Sequence, residues 1–352
     1  MRVPIKFILD YAREKSFMFS RFLITNLESI EALTNAANAT GSPFLYDIYF
    51  PLMERSCLDC VEELAKRFIT DTDIPCGLYA DHIESVDACI SAIDRGYDGV
   101  MIDLSKLSLE ENIRGSKEVV TYAHKKGVFV EGEVGIITRS SEEKIVETDP
   151  EQAGEYLAKT GVDCLAISIG VYSGFYEGEP EVNYGLIKKL SSLGAHLCLH
   201  GASGLSREII SRCISLGMHF VGYGTDPLYR FFGEIDRIRK ERGEKFVDPS
   251  RILIPARDEM QKEIEEKIYY IKSDGRSREI LNLYKNFQHE KTCKGFESMK
   301  LNSEPAGLGK SCKDSCIYKK PQAFDGLENL DREKLIKDVT AEVLKKIRKT
   351  GG

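Results

Sequence analysis

Along most of the chain the polar and apolar positions fall into one repeated unit. A helical stretch ends in glycine and an apolar, β-branched run follows within a few residues: Arg95-Gly96 before GVMIDLS, Lys126-Gly127 before VFVEGEVG, Thr160-Gly161 before VDCLAISIG, Leu193-Gly194 before HLCLHGAS, and Leu216-Gly217 before HFVGYGTD. Glycine closes a helix in the left-handed conformation, and a nearly continuous apolar run suits a parallel strand covered by helices. Three earlier runs, about 17–24, 43–49 and 75–82, raise the count to eight strands. Helix starts are marked by the capping box Ser108/Glu111 and by Asp149-Pro150. Eight alternating units predict an α/β protein, a (β/α)8 TIM barrel over residues 1–276 with a C-terminal helical extension over 277–352.

The extension reads differently. A short amphipathic segment (Ile280, Leu281, Leu283, Tyr284, Phe287) precedes an irregular stretch at 294–326. A last helix is expected at 331–348, with Leu335, Ile336, Val339, Val343 and Ile347 on one stripe. Such a stripe docks on its own barrel, on a sister subunit or on a partner. In spacing and length it resembles the terminal peptides that load enzymes into bacterial microcompartments.

Charge narrows the partners. The 352 residues carry a formal net charge of -7, which argues against nucleic acid or an anionic membrane as the main partner. No segment approaches the about 20 apolar residues of a membrane span, and the opening residues lack the apolar core of a secretory signal. A cytoplasmic protein is the expectation. Of ten cysteines, Cys89, Cys164, Cys198 and Cys213 fall within apolar patterns and read as buried thiols. Cys57 and Cys60 form a C-x2-C with no second pair, and Cys293, Cys312 and Cys316 sit in the polar tail.

Barrel chemistry gathers at the C-terminal ends of the strands. Those ends read Tyr79-Ala80-Asp81-His82, Asp103-Leu104-Ser105, Glu131-Gly132-Glu133, Gly170-Val171-Tyr172-Ser173-Gly174, His200-Gly201-Ala202-Ser203-Gly204 and Gly222-Tyr223-Gly224-Thr225-Asp226. Histidine and glutamate converging on one rim make a divalent-metal constellation, and imidazole suits zinc. Small residues after the last two strands offer backbone N–H groups where barrels bind phosphate.

Asp81-His82, GYDGVMID (96–103), EEN (110–112), KEVVTYAHKKGV (117–128), EGEVG (131–135), HGASG (200–204), GTD (224–226) and DPSRILIPARDEM (248–260) together resemble the class II, zinc-dependent fructose- and tagatose-bisphosphate aldolases over residues 3–276. The resemblance implies an aldehyde-lyase that makes or breaks a C–C bond in a phosphorylated ketose, with Zn2+ or another divalent metal as Lewis acid. It implies Asp81 as acid/base, His82 and His200 as metal ligands, Glu133 as an alternative metal carboxylate, and Gly174, Gly201, Ser203 and Thr225 as phosphate-binding positions. Glu142 or Glu143, on the loop after the fifth strand, matches the residue that moves the substrate proton. A homodimer is implied as well.

The pattern also departs from the family. Ser173 stands at the third zinc histidine, and Gly222 at a substrate-touching asparagine. Ser20-Arg21-Phe22-Leu23 replaces Gly-Ala-Phe-Asn, while Asp47 and Tyr49 replace polar Gln/Ser. Tyr49, Tyr172 and Tyr223, with Asp47 and Arg21, are expected to add bulk and charge near the mouth. These departures leave open a second reading, a catalytically silent barrel serving as a binding or regulatory partner subunit, and a third, other chemistry on the same rim.

Overall fold

The computed structural model describes residues 2–300 apart from 56–57, 139–144, 175, 177, 179 and 244–247. Eight parallel strands close in chain order: β1 (Phe19–Leu23), β2 (Phe44–Tyr49), β3 (Cys76–Ile83), β4 (Gly99–Ile102), β5 (Phe129–Val134), β6 (Cys164–Ile167), β7 (His196–Leu199) and β8 (Phe220–Tyr223), with β8 pairing back onto β1. The helices are α1 (Ile5–Lys15), α2 (Leu27–Thr40), α3 (Leu58–Asp71), α4 (Val86–Asp94), α5 (Leu109–Lys125), α6 (Pro150–Thr160), α7 (Tyr184–Ser191), α8 (Arg207–Ser215), α9 (Thr225–Arg242), α10 (Ser250–Tyr270) and α11 (Ser277–Lys300). The expected TIM barrel is the observed fold.

Local sequence explains the element ends. Ser108 and Glu111 form the reciprocal capping box that opens α5, and Asp149 accepts from the Glu151 and Gln152 amides at the start of α6. Gly161 ends α6 at φ 73°, where a side chain would be strained.

Alternation along the strands sorts two layers. Outward residues such as Phe22, Tyr46, Val130 and Val221 form the main core with the helices. Inward residues Phe19, Leu45, Tyr79, Met101, Phe129, Cys198 and Phe220 cluster with Ile5, Ile8, Leu9 and Ala12 of α1. The lower barrel is therefore a dry plug sealed by α1. One residue pair further along, the inward positions become Arg21, Asp47, Asp81, Glu131 and Gly222, so the apolar plug gives way to a charged layer.

Residues Met1–Thr292 form one compact unit. Its reach past residue 276 has a physical cause: Ile280 is fully buried with the plug, and Tyr284 meets Phe7 edge-on at 5.2 Å. A second unit, Cys293–Gly352, lies almost wholly outside the described residues, as do the helix expected at 331–348 and Cys312 and Cys316. No described helix is long and apolar enough to cross a membrane.

Candidate active site at the barrel mouth

Beside the charged layer opens a cavity of about 540 Å³, lined by strand-end and loop residues including Asp81, His82, Ser173, His200, Ser203 and Thr225. Asp81 and His82 are consecutive, yet both face it. The ladder between β3 and β4 shifts register between Ala80 and Ile83, and His82 takes φ 50°. A left-handed residue at a bulge breaks the in-out alternation and re-aims a side chain that would otherwise face the helices.

His82 is held on one side by its Nδ1, 2.8 Å from Asp103 Oδ2, and its Nε2 lies 3.8 Å from Asp81 Oδ2. Burial alone would lower its pKa. Asp81 and Asp103 outweigh burial and push it up to about 10, so the ring is an imidazolium at neutral pH. Asp103 in turn is held well below the usual carboxylate range: burial works against this, and His82 and Ser105 overcome it.

Arg21 lies at the centre of the charged layer, 1% exposed. Its Nη1 is 2.5 Å from Asp47 Oδ2 and 2.8 Å from Asp81 Oδ2. Its guanidinium also lies 5.0 Å from the Tyr79 ring centroid. Burial raises the Asp81 carboxyl, but Arg21 and His82 override it, leaving Asp81 below its ordinary value and ionised. Asp47 goes the other way: burial dominates Arg21 and pushes it up to about 7.

His200 sits between two groups. Its Nε2 is 2.8 Å from Glu131 Oε1 and 2.9 Å from Arg21 Nη2, and its Nδ1 is 3.4 Å from that same Nη2. Glu131 is buried, which raises its carboxyl, yet His200 and Arg21 hold it below its ordinary value. His200 Nε2 is thus held between the Glu131 carboxylate, which can only accept, and the Arg21 guanidinium, which can only donate. Burial and Arg21 lower the His200 pKa, in keeping with a neutral ring. Tyr79 donates to the other Glu131 oxygen at 2.5 Å.

Asp81, His82 and His200 thus come together as the sequence predicts, with ligand atoms all within 4.8 Å of one another. Glu133 joins His82 and Asp103 in a second grouping. It is buried, with Oε2 unpartnered, and burial followed by Asp103 pushes it up to about 8. Gly201, Ser203, Gly222 and Thr225 line the same cavity as Asp81, and Gly174 is not among its lining residues. Glu142 and Glu143 lie outside the described residues. One of the expected intrusions at the mouth is absent, since Tyr172 is not among the residues lining the cavity, whereas Tyr223 is. The Tyr223 ring packs on Phe22, ring centroids 5.4 Å apart, and Tyr172 packs on Tyr176 at 4.5 Å. Alternation turns the Tyr223 ring toward Phe22 because Gly222 faces in.

The phosphate-type loop is tied down from behind. Ser203 Oγ accepts from the Asp226 amide at 3.2 Å, and Asp226 Oδ2 accepts from the Gly204 amide at 2.9 Å. Lys267 of α10 reaches the same Asp226 oxygen at 2.6 Å. Thr225 opens α9 at the cavity wall, and a helix N-terminus favours an anion.

A divalent metal can be tested against these donors. His82 is oriented as a ligand would be, its Nδ1 directed to a carboxylate. The space before His200 and Asp81 is taken by the Arg21 guanidinium, and the third ligand position is Ser173. This donor set does not fit a three-histidine zinc site.

A rim of acid–base groups at the C-terminal face of a (β/α)8 barrel is where barrel enzymes carry their active sites. The family profile described as fructose-bisphosphate aldolase class-II matches residues 3–276. The fructose-bisphosphate aldolase of Geobacillus stearothermophilus is 32% identical over 283 residues, covering 78% of this chain and 98% of that protein. That of Staphylococcus aureus (strain Mu50 / ATCC 700699) is 28% identical over 284 residues, covering 78% and 99%. The crystal structure of the YdjI aldolase from Escherichia coli K12 superposes with a TM-score of 0.70 at 25% identity, covering 79% of this chain and 100% of that one. The chain belongs to the class II fructose-bisphosphate aldolase family, and with it to the aldehyde-lyases.

Proposed function

We propose that the chain cleaves or forms the C–C bond next to the carbonyl of a phosphorylated ketose or a closely related phosphorylated compound. One observation carries this reading: an ionised Asp81, backed by Arg21 at 2.8 Å, lines the same cavity as the Ser203–Thr225 anion loop. A phosphate bound at Gly201, Ser203 and Thr225 would place the substrate chain across the mouth, toward Asp81.

In the cleavage direction Asp81 takes the proton of the hydroxyl beside the breaking bond. The O–H electrons form the new aldehyde C=O, the C–C bond breaks, its pair becomes the C=C bond of the enediolate, and the carbonyl π pair moves onto the former carbonyl oxygen. A proton then returns to carbon, and we assign that delivery to Glu142 on the loop after β5. Asp81 and the loop carboxyl together supply general base and general acid, and no step is routed through a metal.

A screen of phosphorylated ketoses for aldehyde release, run on the full-length chain and on Asp81→Asn, tests the reading. Release that falls by about 100-fold or more in the variant is expected. Absence of cleavage across the series would exclude the reading.

A further inference from the structure

We propose that the Arg21 guanidinium is the resident cation of this site, seated where a metal bridging Asp81 and His200 would have to lie, so that the chain works without a divalent ion there. Both terminal nitrogens of the guanidinium are seated, while its buried Nε has no hydrogen-bond partner among the described residues. Asp47 and Asp81 meet Nη1 at 2.5 and 2.8 Å, His200 meets Nη2, and the Tyr79 and Phe220 rings lie 5.0 and 5.8 Å from the guanidinium carbon. Gly222 supplies the room: a Cβ there would come within 2.9 Å of Arg21 Cζ and 3.1 and 3.2 Å of its two terminal nitrogens. A side chain at 222 would therefore force the Arg21 guanidinium out of its present seat.

A buried arginine is costly unless counter-ions surround it, and here two carboxylates lie on one of its nitrogens. Those groups are then committed. One Asp81 oxygen and His200 Nε2 lie 2.8 and 2.9 Å from a fixed positive charge, and a second, divalent charge in their midst would be repelled. Ser173 adds no replacement ligand at the cavity wall. Guanidinium keeps its proton at any working pH and donates through a rigid fork. It thus offers fixed positive charge next to Asp81, where the enediolate charge of an aldol reaction would develop.

Zinc titration calorimetry, metal content after dialysis against zinc, and melting temperature with and without chelator test this on the full-length chain. Only zinc lost on His200→Ala is scored, which removes background binding. The wild-type chain is expected to hold no such zinc and to melt unchanged by chelator. Arg21→Gln/Asp47→Asn removes the cation together with one counter-ion, so the barrel is not left with that charge unpaired. It is expected to gain stoichiometric, His200-dependent zinc and a higher melting temperature in its presence. Stoichiometric His200-dependent zinc on the wild-type chain overturns the proposal, as does a folded double variant as indifferent to zinc as the wild type. These readouts do not depend on turnover. A chain that cleaves nothing would sink the aldol reading and leave this one standing.

Discussion

Arg21 and Gly222 are paired neighbours across the β1–β8 seam: the two residues are in register, and the arginine's terminal group fills the volume that a side chain on the glycine would need. The relationship joins two departures from the family pattern that look unrelated in sequence, 201 positions apart (222 − 21).

Gly222→Ala therefore pushes into backed-up atoms. The guanidinium cannot retreat past Asp47, Asp81 and the Tyr79 ring without breaking its ion pairs. A loss of about 1–3 kcal/mol is expected, the range for overpacking a filled core, measured by urea unfolding. In an Arg21→Gln/Asp47→Asn background the same change is expected to cost much less, and a double-mutant cycle gives the coupling.

Lys267 ties the anion loop to α10 through Asp226, with Glu263 3.2 Å away on the same helix. Lys267→Met removes the cation and leaves Asp226, itself 9% exposed, beside an apolar chain. Breaking one partner from a buried pair costs about 3–5 kcal/mol. Chemical denaturation is expected to show that loss, and titration with inorganic phosphate a weaker affinity, because Asp226 also fixes the Gly204 amide.

His196, at the opposite end of β7 from His200, gives the acid-side prediction. Its Nε2 is 3.0 Å from Asp10 and its Nδ1 3.1 Å from Arg13 Nη2. Burial, then Arg13, lowers its pKa to about 4. A histidine depressed on folding contributes stability present above its unfolded value, about 6.5. That contribution is lost as pH falls through about 4, because the unfolded chain takes up the proton first. The linkage is worth at most about 3 kcal/mol. Thermal unfolding at steps from pH 7 to pH 4 is expected to show a smaller decline for His196→Gln than for the wild type.

Much of the barrel was legible because its signals are local. Each strand is an apolar run after a helix-closing glycine, and Ser108/Glu111 and Asp149-Pro150 mark their helix starts within a few residues. The rim was legible for the same reason: Asp81, His82, His200 and Ser203 sit at strand ends that topology forces together. The centre was not. Arg21 reads as a charge near the mouth, and only closure of β8 onto β1 shows that Gly222 makes its seat. Glu131 and Asp103 draw attention as strand-end carboxylates, but their task of fixing His200 and His82 depends on pairings 69 and 21 residues apart. The turn at His82 carries no sequence signal, since histidine has no requirement for positive φ. Tyr223 does line the mouth, but the packing of its ring on Phe22 was not legible, because inward and outward faces cannot be told apart in a four-residue apolar strand.

The most direct measurement is aldehyde release from phosphorylated ketoses by chelator-treated, zinc-free protein, compared with Asp81→Asn. Turnover retained without metal and reduced by about 100-fold or more in the variant is the predicted result. Turnover that appears only on adding a divalent metal, or that is equal in Asp81→Asn, would contradict an aldolase site built around Arg21 and Asp81.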